Sequence, residues 1–174
     1  DLDPEKRIVL LTCHRRENWG KPMEQIFSAV AKLAESHEEI EVVFPVHKNP
    51  KVREAANRIL GGKDRIHLIE PLDYHPFSTL MNRAYLVLTD SGGIQEEAPS
   101  LGKPVLVLRD TTERPEAVAA GTVRLAGTNC DEILAAAGKL LDDKSSYQQM
   151  AMTKNPYGDG SASCRISNIL VEKV

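Results

Sequence analysis

The segment Thr89-Asp90-Ser91-Gly92-Gly93-Ile94-Gln95-Glu96-Glu97 lies between two apolar runs, Tyr85–Leu88 and Pro104–Leu108. Gly92 and Gly93 lack a Cβ, so the chain can turn tightly there and a ligand can come close to the backbone. Where such a turn opens a helix, the first backbone N–H groups have no intrahelical partner and sit at the positive end of the dipole, which favours a phosphate. Glu97 falls about one helical turn further on, where a carboxylate can accept hydrogen bonds from vicinal hydroxyls. Phosphate on the glycines and a diol on the acid would suit a nucleoside diphosphate. The same residues also suit an ordinary strand-to-helix turn whose acids complement the dipole.

The other residues able to do chemistry also come directly after apolar runs. They are His14-Arg15-Arg16-Glu17-Asn18-Trp19-Gly20, His47-Lys48-Asn49, Pro71-Leu72-Asp73-Tyr74-His75-Pro76-Phe77 and Arg109-Asp110-Thr111-Thr112-Glu113-Arg114-Pro115. His14 can cap a strand, or its proton can stabilise a diphosphate leaving group. Arg15, Arg16 and Glu17 read either as a solvated, salt-bridged loop or as a small-anion site. Arg114 can pair with Glu113 or Glu116, or make a bidentate contact to phosphate or diol. Phe77 is core by default and, after a His-Pro turn, a platform for a base. His14, Glu17 and His47 have neither the helical spacing nor the cysteine pairing of a metal site. Ser91 has no nucleophile-elbow context.

These loops need elements that bring them to one end of a sheet. Strands are expected at Ile8–Cys13, Val42–Val46, Ile66–Ile69, Tyr85–Thr89, Pro104–Leu108 and Thr122–Leu125. Most are continuous apolar runs, which mark strands buried on both faces of a parallel sheet. Met23–Ser36 places Ile26, Phe27, Val30, Leu33 and Ala34 at helical spacing, with Pro22 suited to the first turn. Further helices are expected at Lys51–Leu60, Pro76–Arg83, Ile94–Leu101, Pro115–Ala120, Asp131–Asp142 and Tyr147–Thr153, with a last one from Ser161. The alternation implies a doubly wound, Rossmann-like α/β fold with a parallel sheet of about six strands. Ligands of such sheets sit at the carboxyl ends of the strands.

At 174 residues the chain suits one domain. A net charge of −3 argues against a nucleic-acid surface, and no apolar run approaches the roughly 18 residues of a membrane span. Cys13, Cys130 and Cys164 are far apart and odd in number, as expected of reduced thiols in a cytoplasmic protein. Residues 1–7, Asp1-Leu2-Asp3-Pro4-Glu5-Lys6-Arg7, read as a linker into a domain at 8–174, so a fragment is expected.

Five motifs occur in series: His14-Arg15-Arg16-Glu17-Asn18-x-Gly20, Thr89 to Glu97, Leu101-Gly102-Lys103-Pro104-Val105-Leu106-Val107-Leu108-Arg109, Thr111-Thr112-Glu113-Arg114-Pro115-Glu116 and Asn155-Pro156-Tyr157-Gly158-Asp159-Gly160. From about Ile8 onward the chain resembles the carboxyl-terminal half of the non-hydrolysing UDP-N-acetylglucosamine 2-epimerases. The resemblance implies one half of a GT-B fold, two Rossmann-like halves facing a cleft. It implies cofactor-independent interconversion of UDP-N-acetylglucosamine and UDP-N-acetylmannosamine, by elimination and re-addition of UDP. Carried over, Ser91, Gly92 and Gly93 bind the diphosphate, Glu97 the ribose and Arg114 the nucleotide. Phe77 frames the uracil, and His14 touches the diphosphate as the glycosidic bond breaks. Arg15, Glu17 and His47 match positions at which bacterial members hold an activating second substrate molecule. Leu72 departs from the pattern, standing where some members carry a polar residue near the base.

The resemblance places the proton-transfer carboxylates in an amino-terminal domain absent from this sequence, and implies a homodimer for the full-length enzyme. Asp90, Glu96 and Glu97 are the acids expected near the site, committed to structure and ribose binding. Three other classes fit parts of the pattern. They are a GT-B glycosyltransferase, a hydrolysing epimerase that releases free N-acetylmannosamine, and a non-catalytic nucleotide-sugar-binding module.

Overall fold

The computed structural model describes residues 2–172. Asp1 of the expected linker, and residues 173 and 174 of the expected domain, lie outside the described residues. Six strands form one parallel sheet: β1 (Arg7–Thr12), β2 (Ile40–Pro45), β3 (Ile66–Ile69), β4 (Leu86–Thr89), β5 (Val105–Val107) and β6 (Val123–Leu125). Their order is β3-β2-β1-β4-β5-β6, the doubly wound Rossmann arrangement. The helices are α1 (Lys21–Ser36), α2 (Pro50–Leu60), α3 (Tyr74–Arg83), α4 (Gly92–Ser100), α5 (Pro115–Ala120), α6 (Cys130–Asp142), α7 (Lys144–Ala151) and α8 (Ala162–Glu172).

The apolar strands fill both faces by simple alternation. Val9, Leu11, Phe44, Leu86, Leu88 and Leu106 cluster with α1, α2 and α6, while Ile8, Leu10, Val43, Val87 and Val105 cluster with Met81 of α3, Ala98 of α4 and Ala117 of α5. Helix starts are set by their caps. Asn49 accepts from the Lys51 N–H at 2.9 Å, and Asn129 from that of Asp131 at 2.9 Å. No helix among the described residues is long and apolar enough to cross a membrane. Cys13, Cys130 and Cys164 are free thiols.

Several boundaries differ from expectation. The sheet begins at Arg7, and Leu2 packs on the second core cluster, so part of the expected linker belongs to the domain. Helix α4 opens at Gly92 instead of Ile94, and α3 at Tyr74 instead of Pro76. Helix α7 opens at Lys144, because Asp143 caps it through the Ser145 and Ser146 N–H groups.

The order reverses between β1 and β4, and the crevice at their carboxyl ends is where open α/β sheets bind ligands. Thr12 and Thr89 face each other there, their hydroxyls 2.6 Å apart, and the Asp90 N–H donates to the Thr12 carbonyl at 3.2 Å. The β1 and β4 loops therefore leave the sheet side by side.

Candidate functional site

Asp90, fully buried, organises this crevice. Its Oδ2 accepts from the backbone N–H of His14 (2.9 Å) and Arg15 (2.8 Å) and from Asn18 Nδ2 (3.1 Å). Asn18, itself buried, also donates to the Leu108 carbonyl at 3.2 Å and so links the β1 loop to β5. The His-Arg-Arg loop is thus folded around one carboxylate from the neighbouring strand end. Cys13 lies beneath it, its thiol pushed well above the usual range by burial and then by the Asp90 charge, so it stays protonated.

The turn after β4 delivers the N-terminus of α4 to the same place. Ser91 is the N-cap residue but makes no side-chain capping bond, and its N–H donates to Thr89 Oγ1 at 3.0 Å. Gly92 and Gly93 are already helical, contrary to the reading of them as a turn outside the helix. A Cβ on Gly92 would lie 2.4 Å from Glu113 Oε1, whereas one on Gly93 would meet nothing nearer than Glu97 Oε1 at 4.0 Å. One glycine makes room for the protein and the other leaves open space beside the helix N-terminus. Glu97 is part-buried on the same helix, with no ion-pair partner among the described residues.

The structure changes the ion-pair alternative for Arg114. Neither acid beside it in sequence pairs with its guanidinium; Nε donates to Glu96 of α4, and Nη1 to the Glu113 carbonyl at 3.1 Å. That pairing holds its pKa above the ordinary guanidinium value.

Glu113 closes a chain of charges that the sequence reading did not connect. Arg15 Nη2 donates to Glu113 Oε1 at 2.7 Å, Glu113 Oε2 accepts from Arg109 Nη1, and Arg109 Nε donates to Glu17 Oε1 at 2.5 Å. Burial of Arg109 disfavours its charge, but the bonds to Glu113 and Glu17 outweigh this and raise its pKa. The Arg109 hydrogen bond lowers the Glu113 carboxyl to about 2. Arg15 and Glu17, expected together, therefore meet through two residues of the β5–α5 loop, while Arg16 stays exposed.

His47, after β2, joins His14 by stacking, with ring centroids 5.5 Å apart and planes 16° apart. The two rings, with Leu72, Phe77 and Ile94, line a depression of about 180 Å³. Phe77 does not follow a His-Pro turn as expected: His75 and Pro76 lie in the first turn of α3, and the helix carries the phenyl ring to the depression. A larger depression of about 510 Å³ between β6, α6 and α7 contains none of these residues. Among the described residues no three His, Cys, Asp or Glu side chains are placed to hold a metal ion. His14, Phe77, Ser91, Gly92, Gly93, Glu97 and Arg114 come to one end of the sheet. Asp90 was expected near the site in a structural role; the residues missed were Asn18 as its partner and Arg109 and Glu113 as a clamp. Their strand-end positions were the available signal.

The strand order and this crevice define a Rossmann-like ligand-binding domain of the kind that forms half of a GT-B fold. The chain belongs to the UDP-N-acetylglucosamine 2-epimerase family, whose profile matches residues 2–171. It is 60% identical over 169 residues to the UDP-N-acetylglucosamine 2-epimerase of Yersinia pestis, covering 97% of this chain and 45% of that protein. The UDP-GlcNAc 2-epimerase of Neisseria meningitidis, solved bound to UDP-GlcNAc, superposes with a TM-score of 0.92 at 47% identity, covering 98% of this chain and 46% of that one. The carboxyl-terminal domain of a Francisella tularensis group 1 glycosyltransferase shares the fold alone, with a TM-score of 0.67 at 15% identity, covering 88% of this chain and 84% of that one. The chain spans a little under half the length of its curated relatives.

Proposed function

We propose that this chain is the UDP-binding, carboxyl-terminal half of a cytoplasmic, non-hydrolysing enzyme. That enzyme interconverts UDP-N-acetylglucosamine and UDP-N-acetylmannosamine by eliminating and re-adding UDP, without a cofactor. The observation that carries the reading is the meeting, at one switch point, of the open α4 N-terminus, His14 and Glu97, which has no ion-pair partner among the described residues. Ser91, Gly92 and Gly93 hold the diphosphate, and Glu97 takes the ribose hydroxyls. Phe77 frames the base beside Leu72, and Arg114, steadied by Glu96, contacts the nucleotide. His14 supplies a donor where charge develops on the departing UDP. The proton-transfer groups belong to an amino-terminal domain of the full-length homodimeric enzyme. Arg15, Glu17 and His47 form the wall for a second, activating UDP-N-acetylglucosamine. The charge chain and the His14–His47 stack support this by joining that wall to the catalytic turn.

The test is Glu97→Ala. Loss of a charged hydrogen bond costs about 1.5–3 kcal/mol, so UDP should bind about tenfold or more weakly while pyrophosphate binds as before. Equal losses for both ligands in titration calorimetry would remove Glu97 from the ribose.

A further inference from the structure

We propose that Asp90 is the positioning residue of His14. Its Oδ1 receives the imidazole Nδ1–H, which fixes the tautomer and leaves Nε2 to face the diphosphate; the role of Nε2 rests on the UDP-binding reading above. The two oxygens of this carboxylate are used unequally. Oδ2 is saturated by three N–H donors. Oδ1 is buried, has no hydrogen-bond partner among the described residues, and lies 3.3 Å from His14 Nδ1. An unmet buried carboxylate lone pair is costly, and the group facing it is a ring nitrogen that can donate. A small rotation of a side chain that is still 38% exposed completes the bond.

Most other groups around the ring are committed elsewhere, and the protonated Cys13 thiol is the one rival donor against this carboxylate. His47 stacks on the face of the imidazole, and the Arg15 guanidinium is committed to Glu113 and to the Asp90 carbonyl. The Cys13 thiol, held protonated, bears on the same carboxylate from below. Asn18 binds Oδ2. A carboxylate that holds Nδ1–H while Nε2 faces the reacting group is a recurrent way to orient a histidine. If Asp90 served only to fold the loop through Oδ2, the imidazole tautomer would not depend on it.

The experiment reads the tautomer directly, by long-range proton–nitrogen correlation spectra of the imidazoles near pH 9. The His14 signals are assigned by their absence in His14→Gln. In the wild type the proton should sit on Nδ1. In Asp90→Asn the three donors require the amide oxygen at the Oδ2 position, so the amide NH2 faces Nδ1 and the proton should move to Nε2. UDP affinity should fall about tenfold or more in that variant, as expected for a charged hydrogen bond. The fall should not add to that of His14→Gln. Asn18→Ala, which loses one Oδ2 bond alone, should keep the Nδ1–H form. A wild type with the proton on Nε2, or an unchanged tautomer in Asp90→Asn, would overturn the proposal. If Asp90→Asn does not fold, the wild-type spectrum alone still decides. An Nδ1–H tautomer in a chain that does not bind UDP would uphold the Asp90–His14 pair and defeat the nucleotide reading instead.

Discussion

Gly92 and Gly93 are chemically identical neighbours with different work to do. A methyl group on Gly92 must displace Glu113 Oε1, which Arg15 and Arg109 hold in place. A methyl on Gly93 meets open space and improves helix propensity by about 0.5–1 kcal/mol. Gly93→Ala should therefore keep or slightly raise the thermal midpoint and yet lose UDP affinity, because the methyl fills the ligand's approach to the helix N-terminus. Gly92→Ala should act through Glu113, so combining it with Glu113→Gln should cost less than the sum of the two single changes. Neighbours that share a partner depart from additivity by about 0.5 kcal/mol or more. Calorimetry with UDP checks the first expectation and a double-mutant unfolding cycle the second. Unchanged UDP binding in Gly93→Ala would remove that glycine from the diphosphate site.

The loops behave as a pair because Glu113 links them. Its folded carboxyl titrates near 2, below the ordinary carboxylate value of 4.5, so the folded state binds its proton less readily than the unfolded chain does. The resulting stabilisation is fully present above about 4.5 and disappears as the pH falls towards 2. The side chain is 38% exposed, and solvent screening leaves about 1 kcal/mol of it. Wild type and Glu113→Gln should thus differ in unfolding free energy near neutral pH and converge as the pH approaches the folded value of about 2. A gap that persisted in full at that acid limit would place the effect elsewhere. This clamp also marks where sequence reading stops. Continuous apolar runs identify strands, because a strand covered on both faces has no polar side. They also pick out the polar loop residues at each strand's carboxyl end. Which strands become neighbours is a property of the whole sheet, so the ion-pair alternative for Arg114 named only acids beside it in sequence, while its partner Glu96 reaches it from α4. The α4 start was missed for a related reason. Glycine is a poor helix former, and only the bonds joining the β1 and β4 ends set those two residues at a helix N-terminus.

At the scale of the molecule, the acids nearest the crevice among the described residues are mostly engaged by other groups. Removing the C2 proton needs a free carboxylate or equivalent base facing the sugar. Asp90 is buried under three N–H donors, Glu17 and Glu113 are held by arginines, and Glu96 is held by Arg114. Glu97 is unpaired among the described residues and lies one turn along α4, where the proposed function gives it the ribose. Helix α8 meanwhile exposes Ile166, Ile169, Leu170 and Val171, an apolar face left uncovered among the described residues. The two core clusters on either side of the sheet give these residues a hydrophobic interior of their own. The purified chain should therefore fold and bind UDP, though weakly, since one wall of a cleft buries only part of a ligand that normally loses most of its surface. It should not epimerise. Incubated with UDP-N-acetylglucosamine in deuterated water, it should show neither manno signals nor deuterium at C2 by proton NMR, while calorimetry registers UDP. Exchange at C2 by this chain alone would mean that one of its own residues acts as the base, and Glu97 would be the first candidate for that role.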